Sequence, residues 1–531
     1  MNEASEILSS IYKKGARVRI ESGELRYHDP QGVLDPGQLD ALQRLRDEVA
    51  TLIESQLVSE GPPVPTSKSP SRPAPLTFQQ EVFWSYLKKY NIGNGLMTFS
   101  LRLLGELNVE SLRRSMDVVI RRHESLRTKI VVIDETPTQQ VSEPCEYELQ
   151  VVDVFGTRDD CDVDDEVRLI VRKFFSQSVD LTTGPVFEVR LIRLRPRDHV
   201  LAVAVHHIIS DGMSAVLLLR ELTSAYGCLV RGIQPSLPHV PLQYPEYAIW
   251  QRCAHFRWWE KHGDYWNKRL AGAVRLRIPA DHGVENVKPY TPAEFKISFG
   301  EALSRGLMDL ARREGRMPGL VMLALFSYVA SCWCNQRDFV IPFTVSGRHL
   351  PEQRNMMGFF AQELLLRIEM TGDETFRDLL KLVTKEFLSA HEHLDFGSLF
   401  SDVPDLYRGS NLNWLPWNPS QLTEVTALRE GACENSDLKI ESFPVETKLA
   451  EEFIMEGELG LAFWHTNQGI AGGGCYRADL FAANTVQRFS QDLLTISELV
   501  MRDPCARLAS LPADRSSDRP SMLLALKAIS T

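Results

Sequence analysis

The sequence predicts an α/β (α+β) protein with two lobes of similar size, preceded by a small domain that contains a β-hairpin. Its 531 residues exceed the roughly 250 to 300 residues at which a single hydrophobic core stops growing. Two long stretches, 76–255 and 256–512, each mix strand-type and helix-type hydrophobic periods, whereas residues 1–58 carry a separate short pattern. We therefore expect three folded units, with residues 59–75 as a Pro- and Ser-rich linker and residues 513–531 as a tail.

The composition excludes several functional classes. Hydrophobic residues make up 44% and charged residues 24% of the chain, and no apolar run approaches the ~20 residues of a membrane span. The net charge of −11 argues against a nucleic-acid-binding surface, which needs an excess of Lys and Arg. The nine cysteines lack paired CxxC spacing, so we expect reduced thiols rather than disulfides or zinc. Because the N-terminus carries no basic segment ahead of an apolar run, we expect a cytoplasmic protein.

The first 58 residues are predicted to form a helix, a hairpin and a second helix. Residues 17–20 and 24–27 alternate polar and apolar side chains around Ser22-Gly23, and residues 39–53 carry an apolar stripe at helical spacing. Basic side chains cluster around this hairpin although the whole protein is acidic; they are Lys14, Arg17, Arg19 and Arg26. Such a hairpin could recognise an acidic peptide by charge and strand addition. A solvated charged face is the alternative interpretation.

The most informative stretch is the strand-to-helix connection LAVAVHHIISDG, residues 201–212. Residues 185–194 and 199–207 are predicted to pair as a hairpin around a short turn, and the second strand ends at His206 and His207. Asp211-Gly212 breaks the strand, and the apolar residues that follow have helical spacing. A side chain in a loop of this kind can be directed into a cleft.

His207 is the predicted catalytic residue of this motif, and His206, Asp211 and Gly212 are grouped with it as candidate catalytic residues. A neutral imidazole can take a proton from an amine or hydroxyl as that group attacks an acyl carbon. His206 and His207 point to opposite faces of a strand, so only one of them can face a given cleft. Asp211 could orient the motif through an arginine, and backbone N–H groups near Gly212 could stabilise negative charge on oxygen. Zinc binding is disfavoured because HHxxxD lacks the HExxH spacing, so no metal is predicted.

The remaining elements are predicted from hydrophobic period alone. Residues 107–123 have the apolar stripe of an amphipathic helix, and a final helix is expected near 485–500. Residues 337–345 resemble a strand that leads into Gly347-Arg348. No internal sequence repeat is detectable.

These motifs resemble a known family. HHxxxDG is the signature of the condensation domains of non-ribosomal peptide synthetases and of related chloramphenicol acetyltransferase-like enzymes. Five other segments are similar to motifs of that family; they are 77–84 (TFQQEVFW), 122–128 (RHESLRT), 180–185 (DLTTGP), 244–250 (YPEYAIW) and 347–367. Residues 1–58 resemble the β-hairpin docking domains found at the N-termini of synthetase subunits. The resemblance covers residues 1–58 and about 76–512.

The resemblance implies a V-shaped pseudo-dimer of two chloramphenicol acetyltransferase-like lobes with the motif at their junction. It implies that His207 promotes attack by the acceptor and that Asp211 is structural, with Arg348 as its partner. Candidates for the substrate channel are Ser214, Gln362, Glu363 and Trp84. Gln362-Glu363 and Val82 depart from the family, which usually has Asn-Thr and Arg at these positions.

The resemblance also implies the partners. The phosphopantetheine would be carried by an acyl or peptidyl carrier protein with an acidic C-terminal tail on an upstream subunit, and no cofactor would be bound to this chain. The acceptor would be a small molecule or a carrier-bound substrate, and we expect a monomer. Since only about twenty residues follow Leu511, we expect a stand-alone enzyme that releases or joins chains in a hybrid polyketide line.

Three alternatives remain open at this point. The chain could be an excised condensation domain that forms a peptide bond between two carrier-bound substrates. It could be a degenerate condensation fold that recruits partners without catalysis, although the intact His207, Asp211 and Gly212 argue against this. It could also be an acetyltransferase that uses acyl-CoA, although the docking-like first 58 residues favour a carrier protein.

Overall fold

The computed structural model describes most of the large domain and part of the N-terminal unit. The described residues are 7, 11, 17–21, 24–28, 34–46, 48–49, 73–90, 95–154, 160–282, 291–394, 403–415, 438–445, 458–466 and 469–510.

The N-terminal unit contains the predicted hairpin and helix. Strands β1 (Arg17–Glu21) and β2 (Glu24–His28) pair antiparallel, with Val18 opposite Tyr27. Helix α1 (Pro36–Arg44) begins at the capping residue Asp35, whose Oδ1 accepts a hydrogen bond from the backbone N–H of Gln38 at 2.9 Å. Lys14 and the first predicted helix, apart from residues 7 and 11, lie outside the described residues, as do the side chains of the three hairpin arginines.

The large domain alternates strands and helices throughout. Its described strands are β3 (Ala74–Pro75), β4 (Leu96–Leu104), β5 (Thr128–Ile133), β6 (Thr136–Val141), β7 (Gln150–Asp153), β8 (Phe187–Arg195), β9 (Asp198–His206), β10 (Pro292–Ser298), β11 (Asp338–Val345), β12 (Gln362–Glu369), β13 (Asn411–Leu415), β14 (Lys439–Ser442), β15 (Leu459–Thr466) and β16 (Gly469–Arg477). Its described helices are α2 (Phe78–Tyr90), α3 (Val109–Arg122), α4 (Asp160–Phe175), α5 (Gly212–Val230), α6 (Tyr244–Leu270), α7 (Gly300–Arg313), α8 (Pro318–Cys334), α9 (Phe376–Glu392), α10 (Pro404–Tyr407) and α11 (Ala483–Arg502).

The first lobe is built on a five-stranded sheet in the order β14-β4-β9-β8-β7. Strand β9 lies at its centre, and all nine of its residues are buried. Its residues alternate between two apolar clusters, because Leu201 and Val203 pack on one face of the sheet while Val200 and Ala202 pack on the other. A strand covered on both faces needs an unbroken apolar sequence, which explains the run that precedes the two histidines.

The second lobe is built on a six-stranded mixed sheet in the order β10-β16-β15-β13-β11-β12. Helix α8 is buried along nearly its whole length, and side chains of α7, α9 and α11 pack in the same core. The structure therefore has the two mixed α/β lobes that the sequence predicted. The predicted helices near 107–123 and 485–500 correspond to α3 and α11.

The predicted division of the lobes needs a correction. Residues 255 and 256 lie inside the 27-residue helix α6, so the chain passes from one lobe to the other without a loop. Strand β14, from the second half of the chain, pairs antiparallel with β4 of the first lobe, where Ile440 lies opposite Leu103. The segment around Phe359 and Phe360 also packs in the core of the first lobe. The first lobe therefore contains chain from both halves of the sequence.

One described helix, α5, is long and apolar enough by composition to cross a membrane. Its apolar side chains, including Leu217, Leu218 and Leu219, are buried in the core of the first lobe. Burial inside the protein accounts for its hydrophobicity.

Candidate functional site

The HHIISDG motif lies at the junction of the two lobes. Strand β9 ends at His206, a short 3-10 turn covers His207–Ile209, and α5 begins at Gly212. The backbone N–H of His207 donates to the Gly95 carbonyl at 2.7 Å. The buried Gln80 side chain on α2 donates to the Ile208 carbonyl at 2.9 Å. The turn is therefore held from both sides, which fixes the position of the His207 ring.

Asp211 is fully occupied by structural contacts. Its side chain is buried and caps α5 by accepting from the Ser214 N–H at 2.8 Å. The second oxygen, Oδ2, accepts from the Phe360 N–H at 3.0 Å. Oδ1 also accepts from Arg348 Nη2 at 3.0 Å, which is the pair that the sequence resemblance implied. With three donors around it, this carboxylate is positioned to bind the lobes together rather than to move a proton.

Arg348 links several pieces of backbone at the same junction. Its Nη1 donates to the carbonyl oxygens of Gln353 and Met356 at 2.6 and 2.7 Å, and its guanidinium lies 4.3 Å from the centre of the Phe360 ring. Only 8% of this side chain is exposed. The contacts make Arg348 a buried connector between α5 and the chain around residue 360.

Ser214 was predicted to line the substrate channel, and this prediction is wrong. Its side chain is fully buried; the hydroxyl donates to the Gly358 carbonyl at 2.8 Å and accepts from the Gly358 N–H at 3.1 Å. It also accepts from Arg348 Nη2 at 2.8 Å. Ser214 donates its backbone N–H to Asp211 at the start of α5, and its side chain faces the lobe junction. It belongs to the hydrogen-bond network of Asp211, Arg348 and Gly358.

A close backbone approach completes the junction. A side-chain carbon at Gly358 would lie 2.1 Å from the Tyr244 ring, so this position admits only glycine. The Tyr244 hydroxyl donates to the Phe359 carbonyl at 2.6 Å and lies 3.0 Å from the Thr77 hydroxyl. Burial raises the pKa of Tyr244 well above its ordinary value, so the hydroxyl stays protonated as a donor.

His207 has surroundings of a different kind. Its ring is partly exposed and lies edge-on to Phe359, with ring centres 4.7 Å apart, and 5.6 Å from the centre of Phe83. Its Nδ1 is buried and makes no hydrogen bond of normal geometry within the described part of the chain. Burial lowers the pKa of His207, and this effect outweighs the contacts with the backbone of His207 and Ser210 and the Asp211 charge, which act in the opposite direction. The imidazole is therefore neutral at pH 7, and Nε2 is the nitrogen left for a substrate.

His206 does not reach the cleft, although it was grouped with the catalytic residues. Only 2% of it is exposed, and its Nδ1 accepts from the Ile208 N–H at 3.1 Å. A side-chain carbon at Gly95 would lie 3.0 Å from its Nε2, so Gly95 leaves just enough room for the ring. Burial lowers the pKa of His206 to about 3. It is a neutral structural residue of the first lobe.

Gly212 is the first residue of α5 and is partly exposed. Helix N-termini carry partial positive charge and unpaired N–H groups, which suits developing negative charge on oxygen. Met213 follows it and is 38% exposed, and the sequence analysis did not single it out. The motif therefore ends in a helix N-terminus at Gly212, and the exposed side chain of Met213 follows directly.

The other predicted channel residues have unequal environments. Gln362 is only 8% exposed and accepts from Gln79 Nε2 at 3.1 Å, while Gln79 accepts from Gln251 Nε2 at 3.0 Å. Gln362 therefore belongs to a chain of amides that connects the lobes, and its assignment to the channel is corrected. Trp84 is partly exposed, with Lys88 Nζ 4.8 Å from the centre of its ring.

Glu363 is a desolvated carboxyl group that remains partly exposed. Its Oε1 accepts from Asn411 Nδ2 at 3.2 Å. Burial raises the pKa of Glu363 to about 7, so the carboxyl is protonated about half of the time at neutral pH.

Sequence reasoning missed the residues that shape the pocket of His207. Phe83 and Phe359 were present in matched motifs but received no role, because an aromatic residue in a helix or loop is usually part of a core. Gln80 and Gly95 were also missed, because their contacts with residues 206–208 join positions more than 100 residues apart. Their only sequence signal was position: Gln80 and Phe83 fall one helical turn apart on α2. Within the described residues, no group of three or more His, Cys, Asp or Glu side chains could hold a metal ion.

Comparison with known proteins identifies the same family in a sequence profile and in related proteins. The sequence profile of the condensation domain family matches residues 71–519. The chain is 29% identical over 491 residues to a linear gramicidin synthase protein of Brevibacillus parabrevis, covering 91% of this chain and 6% of that protein. It is 28% identical over 487 residues to a surfactin synthase protein of Bacillus subtilis, covering 90% of this chain and 13% of that protein. The chain thus spans a small part of these relatives.

Solved structures share the fold at low sequence identity. The X-domain from teicoplanin biosynthesis, in complex with OxyB, has a TM-score of 0.71 and 22% identity, covering 86% of this chain and 100% of that one. A structure of the condensation domain that mediates chain release from the enacyloxin polyketide synthase has a TM-score of 0.63 and 19% identity, covering 97% of this chain and 98% of that one. The predicted chloramphenicol acetyltransferase-like fold is confirmed.

Proposed function

The chain belongs to the condensation domain family of non-ribosomal peptide synthetases, and from this premise we propose that it is an acyltransferase. It transfers an acyl chain, polyketide or peptidyl, from a phosphopantetheine thioester on a carrier protein to an amine or hydroxyl. The product is an amide or an ester. Condensation domains work with carrier-bound substrates in synthetases, which supports the choice of donor.

The observation that carries this proposal is the contrast within the motif between Asp211, whose oxygens accept from three donors, and His207, a neutral and partly exposed imidazole beside two phenylalanine rings. A neutral, partly exposed imidazole in an aromatic pocket is suited to accept a proton at Nε2. Asp211 is unsuited to that role because three donors already occupy its oxygens.

The reaction follows from this geometry. The nitrogen or oxygen atom of the acceptor attacks the thioester carbonyl carbon. Its proton passes to His207 Nε2 as the new C–N or C–O bond forms. The negative charge on the carbonyl oxygen is stabilised by the backbone N–H groups at the start of α5, near Gly212. When the carbonyl re-forms, the C–S bond breaks and the thiolate leaving group takes the proton back from the imidazolium.

Delivery of the donor is assigned to the N-terminal hairpin. Arg17 and Arg19 lie two residues apart on β1, and Arg19 is opposite Arg26 on β2. This basic hairpin stands out in a protein of net charge −11 and is suited to an acidic peptide tail of an upstream carrier protein. The enacyloxin structure, whose fold matches 97% of this chain, favours chain release to a separate acceptor. The cytoplasm is the compartment that fits such a partner.

Transfer from a loaded carrier protein tests the proposal. An upstream carrier protein is loaded with an acyl chain and mixed with amine and hydroxyl acceptors, and the acyl chain is followed by intact mass. We expect transfer by the parent protein and a loss of about 100- to 10,000-fold in His207→Ala. His465→Ala, in an exposed position on β15, is the matched control and should keep the parent rate.

The contrary outcomes are distinct. Transfer by His207→Ala at the parent rate would remove His207 from the mechanism. A parent protein that binds the loaded carrier without any transfer would instead support a recruitment module. If a carrier without its acidic tail reacts equally well at low concentration, the hairpin assignment is wrong.

A further inference from the structure

A row of polar side chains crosses the sheet of the second lobe. Glu363 of β12 lies opposite Thr344 of β11, and Thr344 lies opposite Asn413 of β13. Asn411, two residues earlier on β13, donates to Glu363. We call these four residues the polar row. Side chains opposite one another on adjacent strands share a face of the sheet, so the four form one surface.

The other face of the same strands is apolar. The neighbouring residues Phe343, Leu364 and Leu412 are buried in the core of the second lobe. All four members of the polar row are partly exposed. The core is therefore complete without them, and a polar surface there is not needed to support the fold.

The polar row lies close to the junction that holds His207. Thr344 is four residues before Arg348, which bonds to Asp211. Glu363 is four residues after Phe359, whose ring contacts His207. Four residues span at most about 14 Å even when fully extended. Chain connectivity therefore limits how far the polar row can lie from the residues around His207, and an acceptor with a second functional group is the kind of molecule that would join the two.

The carboxyl of Glu363 lacks a basic partner within the described residues. Its one hydrogen bond in that part of the chain comes from an amide, and no charged side chain contributes to its raised pKa. Glu458, another desolvated glutamate of this lobe, lies 3.2 Å from Arg275 Nη2. A desolvated carboxylate is costly without a counter-ion, and a cationic ligand group would supply one.

We propose that the polar row is an acceptor subsite in which Glu363 binds an ammonium group distal to the nucleophile. The acceptor is then a diamine or an amino alcohol with a further amine: one group attacks the thioester at His207, while the other is held by Glu363 and Asn411. This rests on the proposed function, since it names the acceptor class for that reaction. This chain has Gln362-Glu363 where the family usually has Asn-Thr. Such a difference is expected if Glu363 recognises a substrate particular to this protein.

Transfer kinetics with matched acceptors test the subsite. The acyl-loaded carrier protein is combined at pH 8 with α,ω-diamines of increasing length, with monoamines, and with amino alcohols of the same lengths. For Glu363→Gln we expect KM for the best diamine to rise about 10- to 100-fold, because a charge-assisted hydrogen bond is lost. KM for the monoamine and the kcat for all acceptors should change by no more than about two-fold.

Two variants serve as controls. Glu498→Gln removes an exposed glutamate of α11 and should leave every acceptor unchanged. Glu363→Asp keeps the charge and should restore part of the preference for diamines. Equal losses for monoamines and diamines in Glu363→Gln would show a structural role and overturn the proposal, as would an unchanged KM for the diamine.

Direct binding separates this inference from the proposed function. If the parent protein transfers to no acceptor, the proposed function fails, and calorimetry with the same diamine then decides the subsite alone. Binding by the parent protein that is lost in Glu363→Gln supports the subsite. Equal binding by both proteins, or binding by neither, overturns it.

Discussion

Two residues of the HHIISDG motif, His207 and Asp211, lie four positions apart and have opposite environments. Asp211 accepts from three donors, two of them backbone N–H groups, and its partner Arg348 is almost fully buried. His207 is partly exposed and is bordered by two phenylalanine rings. The carboxylate therefore fixes the junction of the lobes, while the imidazole is left available for chemistry.

The difference shows how such a motif separates two tasks. A buried charge is tolerated only when it is paired and hydrogen-bonded, so the Asp211 network resists rearrangement. A neutral imidazole costs less to bury, so it can remain without a partner on one nitrogen. Changes at the Asp211 end should therefore reduce the stability of the fold, and changes at the His207 end should reduce activity.

The largest expected effect on stability is that of Arg348→Ala. Loss of the guanidinium leaves the Asp211 carboxylate buried without its cation and removes the Nη1 hydrogen bonds to the carbonyl oxygens of Gln353 and Met356. We expect a loss of about 3 to 5 kcal/mol in the free energy of unfolding. Chemical denaturation monitored by circular dichroism measures this change.

An exposed ion pair provides the control for that experiment. Arg305 pairs with Glu301 one helical turn away, and both side chains are mostly exposed. Arg305→Ala should leave the denaturation midpoint unchanged within error, because solvent screens such pairs. If Arg348→Ala were as stable as Arg305→Ala, the Asp211 network would not hold the junction of the lobes. The assignment of a stabilising role to Asp211 and a catalytic role to His207 would then be wrong.

A smaller effect is expected for Ser214→Ala. The change removes one hydroxyl that serves Arg348 Nη2 and both backbone groups of Gly358, so buried polar groups lose their partner. We expect a loss of about 1 to 3 kcal/mol in the free energy of unfolding. KM for the acceptor should remain unchanged in the folded fraction, and a selective rise in KM would return Ser214 to the substrate channel.

Ser327→Ala is the matched control for the serine. Ser327 is fully buried in α8, and its hydroxyl donates only to the carbonyl of Leu323, one turn earlier. That carbonyl is also part of the helix backbone, so removing the hydroxyl should be nearly neutral. The difference between the two serines isolates the contribution of the lobe junction.

The sequence predicted the elements that depend on local pattern. The β8–β9 hairpin has its turn between Arg195 and Asp198, and the amphipathic stripe of α3 faces the core, because turn chemistry and hydrophobic period act within a few residues. The Asp211–Arg348 pair was predicted from the family resemblance. No local pattern would have joined residues 137 positions apart.

Other features could not be predicted because they depend on contacts distant in sequence. Strand β14 has four residues and pairs with β4, more than 300 positions earlier in the chain, and nothing in its short sequence indicates that partner. The burial of Ser214 depends on the approach of Gly358. Glu363 was predicted as a channel residue, but its pairing with an amide rather than a basic side chain, among the residues that the structure describes, is a property of the folded sheet.

The smallest expected effect concerns the pH dependence of transfer. Burial lowers the pKa of His207, so its neutral form persists below the ordinary histidine pKa of about 6.5. With a hydroxyl acceptor, whose own protonation does not change in this range, the rate at pH 6 should stay within about two-fold of the rate at pH 7.5. An imidazole with the ordinary pKa would lose about four-fold in rate over the same interval, because only the neutral form accepts a proton.

Rates of transfer from the loaded carrier between pH 5 and 8 distinguish the two cases. A midpoint at or above 6.5 would mean that the pocket formed by Phe83 and Phe359 does not desolvate His207, and the difference between the two ends of the motif would then lie in hydrogen bonding alone.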